Sequence, residues 1–107
     1  MTIYYPIKAY DPHEAYFAVL ASDGEVWQES RTLDGLIEKT LNALIGKSHE
    51  VIPVLKQFCL SYTPHVTHIV RDTGRIDQVS RMDKKQSDYF SVKLMHGLES
   101  KLFHKST

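Results

Sequence analysis

At 107 residues, with 42% hydrophobic and 24% charged, the chain has the size and composition of one folded domain, which excludes disorder. Thirteen cations balance thirteen carboxylates, and Cys59 is the only cysteine, so no intramolecular disulfide can form. It contains no apolar run of about 20 residues and no charged apolar leader, so the expected setting is cytoplasmic and reducing, without a membrane partner.

Residues 3–10 are aromatic and β-branched and read as a first strand. Pro6 has no N–H to give a ladder, which predicts an edge position or a bulge. Asp11-Pro12-His13 reads as a turn. Residues 16–21 and 26–30 lie either side of Asp23-Gly24, a pair that turns hairpins because it tolerates positive φ. A helix follows at once. Thr32 is placed to cap it, Asp34 falls in its first turn, and Gly46 is placed to end it. Leu33, Leu36, Ile37, Leu41, Leu44 and Ile45 share one face, at the spacing of a helix buried on one side.

Val51, Val54, Leu55, Phe58 and Tyr62 form a second helical stripe, with Pro53 in its first turn. Residues 66–70 and 75–80 flank Asp72-Thr73-Gly74 and read as a second hairpin. Ser87 or Asp88 then caps a last helix, with Phe90, Leu94, Leu98 and Leu102 four apart. Gly97 inside it costs about 1 kcal/mol against alanine. Phe90, Val92 and Leu94 also fit a strand to Met95. The two hairpins align at an offset of fifty, Gly24 on Gly74 and Gln28 on Gln78. Residues 1–46 and 50–107 therefore read either as a hairpin–helix pseudo-repeat or as two hairpins of one length, within a single domain. The expected fold is α+β: an antiparallel sheet from two hairpin units, with about three helices packed on one face. Its core is expected to set Leu36, Leu41 and Leu44 against Val19, Leu20 and Trp27, with Phe58, Leu94 and Leu98 closing the other side.

The charge is unevenly spread. Residues 1–50 hold four cations and eight carboxylates, residues 51–107 nine and five. Segregated halves would present an acidic and a basic surface that steer partners, and interleaved halves would cancel. Arg71, Arg75, Arg81, Lys84 and Lys85 gather at the second hairpin, with Tyr89 and Phe90 close behind, the residue types that hold phosphate and stack bases. On a regular strand Arg75 and Asp77 share a face, so Asp77 blunts that patch. The carboxylates Glu25, Glu29, Asp34 and Glu38 of the first hairpin and helix form the alternative contact face, for a basic protein partner.

Catalytic motifs are sparse. Pro64-His65-Val66-Thr67 resembles one arm of the two-histidine phosphoesterases, in which a histidine moves the proton and a threonine hydroxyl binds phosphate. The second arm is missing, since Glu14-Ala15 follows His13 and Lys105-Ser106 follows His104. His65 and His68 point to opposite faces of a strand, and no ligand set for a metal is completed. Cys59 reads as a small buried residue. Asp23 with Glu25, and Asp72 with Asp77, read as solvated hairpin carboxylates. No cofactor and no enzymatic activity are expected.

Tyr4-Tyr5-Pro6, Tyr16-Phe17-Ala18-Val19, Thr32-Leu33-Asp34, Leu36 and Ala43-Leu44 together resemble the amino-terminal domain of HicB-type antitoxins over residues 1–46. Where that family has a Pro-Asp-Leu-Pro-Gly turn, this chain has the shorter Ser22-Asp23-Gly24. The resemblance implies three strands and a helix that bind a small RNA-cleaving toxin. The resulting expectation is a non-enzymatic protein-binding module, an inhibitor or antitoxin-like protein of a mobile element or phage. Its partner would be a protein with a basic surface, such as a nucleic-acid-processing one, and self-association into a homodimer fits the same reading. The rival expectations are a nucleic-acid-binding module on the basic hairpin and a phosphoesterase at His65 and Thr67.

Overall fold

The computed structural model describes residues 4–45 and 66–105. They form β1 (Tyr4–Tyr10), β2 (Ala15–Ala21), β3 (Val26–Ser30), α1 (Leu33–Leu44), β4 (His68–Val70), β5 (Ile76–Ser80) and α2 (Lys84–Lys105). The five strands make one antiparallel sheet in the order β3-β2-β1-β5-β4. The α+β class is as the sequence predicts. The sheet is not built from two hairpin units, however, because β1 pairs with both hairpins and joins them. Two helices lie among the described residues; the stripe expected over residues 51–62, and Gly46, lie outside them.

Both hairpin turns follow one plan. Ala21 N–H donates to Glu25 C=O at 2.8 Å and Gly24 N–H to Ala21 C=O at 2.9 Å; Arg71, Arg75 and Gly74 repeat the pattern at 2.8 Å each. Gly24 and Gly74 sit at φ +89° and +85°, the left-handed position that closes a three-residue loop. This is why glycine recurs at the offset of fifty.

The strand that carries Pro6 is central, not an edge. Pro6 is tolerated because β5 pairs only with Lys8, Ala9 and Tyr10, leaving the Pro6 stretch with β2 alone as a ladder partner. The one register shift lies instead between β2 and β3, at Val19 and Leu20.

Alternation divides β2 between two cores. Val19 faces the helices, in a cluster with Leu36, Ile37 and Leu44 of α1, Met82, and Phe90, Leu94 and Leu98 of α2. Trp27 and Leu41 pack against it partly buried. Leu20 faces the other way, with Tyr5, Ile7, Ala9, Ala18 and Ile69. The expected contact of Leu20 with α1 is therefore wrong by one residue of strand parity.

Helix α2 runs through the region that also fitted a strand. Phe90, Leu94 and Leu98 are buried at helical spacing while Val92 is 49% exposed. Neither Ser87 nor Asp88 caps it. Asp83 does: its Oδ1 accepts from Gln86 N–H at 2.7 Å, and Gln86 Oε1 accepts from Asp83 N–H at 3.3 Å, a reciprocal capping box. At the start of α1, Thr32 Oγ1 accepts from Gly35 N–H as expected.

Gly97 is explained by α1. A Cβ there would lie 2.5 Å from Leu41 Cδ1 and 2.9 Å from Cδ2, so the glycine lets the helices close. Gly97→Ala is expected to bring no gain in the natural chain. In a Leu41→Ala background it should stabilise by about 1 kcal/mol, the ordinary helical preference; a urea double-mutant cycle checks the coupling. Thr40 Oγ1 is buried without a hydrogen-bond partner among the described residues. Thr40→Val is expected to raise the unfolding free energy by about 1 kcal/mol, read from the denaturation midpoint.

Candidate functional site

The sheet curls until its two edges face each other. Residues 23–29 of the first hairpin and 66–72 of the second line a groove of about 1020 Å³, with Lys39 of α1 at its side. A Cβ at Gly24 would touch Val66 Cγ2 at 3.4 Å at one end. At the other end Arg71 Nη2 donates to Glu29 Oε1 at 3.0 Å and Oε2 at 2.9 Å. Low numbers meet low and high meet high, so β3 and β4 run parallel across the gap. The concave face behind the groove is the Tyr5, Ile7 and Leu20 core.

The same face ends in a polar cluster. Asp77 is fully buried opposite Ile69 in the register. Tyr16 O–H donates to its Oδ2 at 2.6 Å, and Arg75 donates through Nε to Oδ1 at 2.7 Å and through Nη2 to Oδ2 at 2.9 Å. Burial pushes the Asp77 carboxyl up, but the Arg75 fork and the Tyr16 hydroxyl outweigh it and hold it below its ordinary value. Burial, then the Asp77 hydrogen bond, raise the Tyr16 phenol. Arg31 lies 5.6 Å over the Tyr16 ring and donates to Asp11 Oδ2 at 2.6 Å. Asp11 also accepts from Glu14 and His13 N–H, and these bonds with Arg31 hold its carboxyl well below the carboxylate range.

The structure splits the predicted acidic face. Glu25 is exposed beside the first turn and Glu29 holds Arg71, both on the β3 wall of the groove. Asp34 accepts the Tyr89 hydroxyl of α2, and Glu38 is exposed one turn further along α1. Of the basic set, Arg75 is committed to Asp77, as their shared face predicts, and Arg71 is committed to Glu29 across the groove. Arg81 and Lys85 are exposed, and Lys84 stands 3.8 Å from Asp88 on the first turns of α2. The Arg71–Glu29 pair ties the acidic half to the basic one.

His65 lies outside the described residues. Thr67 Oγ1 is 3.1 Å from His68 Nδ1 at the groove wall. Among the described residues no His, Cys, Asp and Glu group is placed to hold a metal, and no helix is long and apolar enough to cross a membrane.

Sequence reading missed two features. Asp77 is not a solvated turn carboxylate; Tyr16, 61 residues away, buries it, and the Arg75-x-Asp77 spacing was the only local signal. Lys39 enters the sequence reading only as one of the cations of residues 1–50, yet its Nζ donates to Glu29 C=O at 2.8 Å and caps the outer edge of β3. Comparison with protein-family models, curated proteins and solved structures finds no match.

Proposed function

We infer that this chain is a small non-enzymatic protein-binding module, an inhibitor or antitoxin-like protein that acts by covering a partner's surface. The observation that carries the reading is the groove between two facing strand edges, with Glu25 and Glu29 on its wall. Cationic side chains of the basic hairpin supply less free charge, because Arg71 and Arg75 already hold carboxylates. The resemblance of residues 1–46 to HicB-type antitoxins supports the same class, with a nucleic-acid-processing protein of a mobile element or phage as the partner type.

The purified chain, used as bait in lysate from bacterial or phage-infected cells, is expected to retain a basic protein in a salt-sensitive way. Glu25→Lys with Glu38→Lys should slow association at least several-fold, while Lys84→Glu with Lys85→Glu should leave it near the natural rate. Both pairs are exposed, so the fold is left intact. Salt-sensitive retention on oligonucleotides, lost on replacing Arg81, Lys84 and Lys85, would overturn the reading in favour of nucleic acid.

A further inference from the structure

We propose that the groove takes an extended, basic segment of a protein partner, which adds as a strand to the free edge of β4. This rests on the protein-binding reading and specifies how the partner is held.

The backbone of β4 sets the argument. Thr67 C=O accepts from Val79 N–H at 2.9 Å, and Arg71 N–H donates to Arg75 C=O at 2.8 Å. In an antiparallel ladder such pairs recur every second residue. Residues 67, 69 and 71 therefore face β5, and the N–H and C=O of His68 and Val70 face outward, into the groove. No partner for them lies among the described residues, and an open edge of this kind is a template for another strand.

The opposite wall is not equivalent. Lys39 Nζ occupies the outward carbonyl of Glu29, so the β3 edge is blunted where the β4 edge has no partner among the described residues. The incoming strand is thus assigned to β4, running antiparallel to it. Because β3 and β4 run parallel, that direction is antiparallel to both walls.

Charge selects the partner's chemistry. The groove is lined by Asp23, Glu25, Glu29 and Asp72 against Lys39 and Arg71. Glu29 neutralises Arg71, and Lys39 keeps its charge on a backbone carbonyl, so three carboxylates outweigh one cation and the groove is net acidic. Asp23 and Glu25 remain at one end and Asp72 at the other. Between them lie the apolar side chains Val26 and Ile69, with Val66 at the Gly24 end, beside the Leu20 core. A segment with alternate apolar residues and a lysine or arginine near each end fits both features.

The test uses the whole chain and the capped peptide Lys-Val-Thr-Val-Thr-Val-Lys, followed by calorimetry and amide NMR. Saturable binding is expected, with the shifts centred on the His68 and Val70 amides and a loss of affinity on adding salt. The same peptide N-methylated at the residues that face β4 should bind about tenfold weaker or less well still. Val70→Pro removes one outward N–H at an edge that tolerates proline, and should weaken binding as much while leaving the melting temperature close to natural. Equal binding of the N-methylated peptide would overturn strand addition and leave the charge-based partner reading standing. No binding by the parent peptide overturns the proposal as well. So would His68 and Val70 amides protected from exchange in the free monomer, which means the chain fills its own edge. A dimer that Val70→Pro dissociates assigns the edge to a second copy and likewise refutes it.

Discussion

Phe90→Ala is expected to lower the unfolding free energy by about 3–5 kcal/mol. Phe90 has no exposed surface and stands where α2 meets α1 and the sheet, with Leu36, Leu94 and Met82 in the same cluster. Its ring fills the space between three elements that are each fixed by backbone hydrogen bonds, so collapse around the cavity is limited. A domain of this size has about 5–15 kcal/mol to lose, so the variant should unfold at a far lower urea concentration with its slope unchanged. Val92→Ala, on the exposed side of the same helix, should stay within about 0.5 kcal/mol of the natural chain. Equal effects at the two positions would show that α2 is not docked by this face.

The second large effect belongs to Asp77. Asp77→Leu strands the buried Tyr16 hydroxyl without an acceptor, at a cost of about 1–3 kcal/mol. Adding Tyr16→Phe should recover most of that loss, because both partners are then apolar beside Ile69. Arg75→Met is expected to be worse than Asp77→Leu at neutral pH, since it leaves a buried carboxylate with one neutral donor. The pH dependence separates these causes. In the natural chain the Asp77 carboxyl titrates below the ordinary 3.8. Its contribution is therefore present above 3.8 and is lost as the pH falls through the depressed folded value. In Arg75→Met, burial acts without the guanidinium and raises the carboxyl. The folded state then binds the extra proton, and acidification from neutral pH should stabilise it. Urea midpoints across the acid range check the reversal of slope. A parallel decline in both proteins would show that Arg75 does not set the Asp77 charge.

What the sequence reveals and what it hides divide by range of interaction. Asp23-Gly24 and Asp72-Thr73-Gly74 announce their turns because left-handed backbone is a local demand. The leucine stripe of α1 and its Thr32 cap are equally local. The capping of α2 by Asp83 was also written locally, in the Asp83-x-x-Gln86 spacing, although Ser87 and Asp88 competed for the role. Strand order is not local. Nothing around Pro6 tells that β5 stops short of it, or that Leu20 turns away from α1. Asp77 reads as a turn residue until Tyr16 is brought to it. The candidate groove was only half legible for the same reason. Its carboxylates could be named from composition, but the facing of β3 and β4 depends on the curl of all five strands.

The central place of β1 has a consequence in time. Ala9 pairs with Tyr16 across a short turn, but with Val79 across 70 residues of chain. Closing that long loop costs roughly 2 kcal/mol more entropy than closing a hairpin. The meander β1–β2–β3 with α1 can therefore assemble from near neighbours, and the β4–β5 hairpin docks on β1 afterwards through three paired residues. The last strands to arrive are the first to leave. Native-state hydrogen exchange should show β4 and β5 opening together, at lower free energy than β1 and β2, so the wall of the groove is also the hinge of the sheet's earliest unfolding.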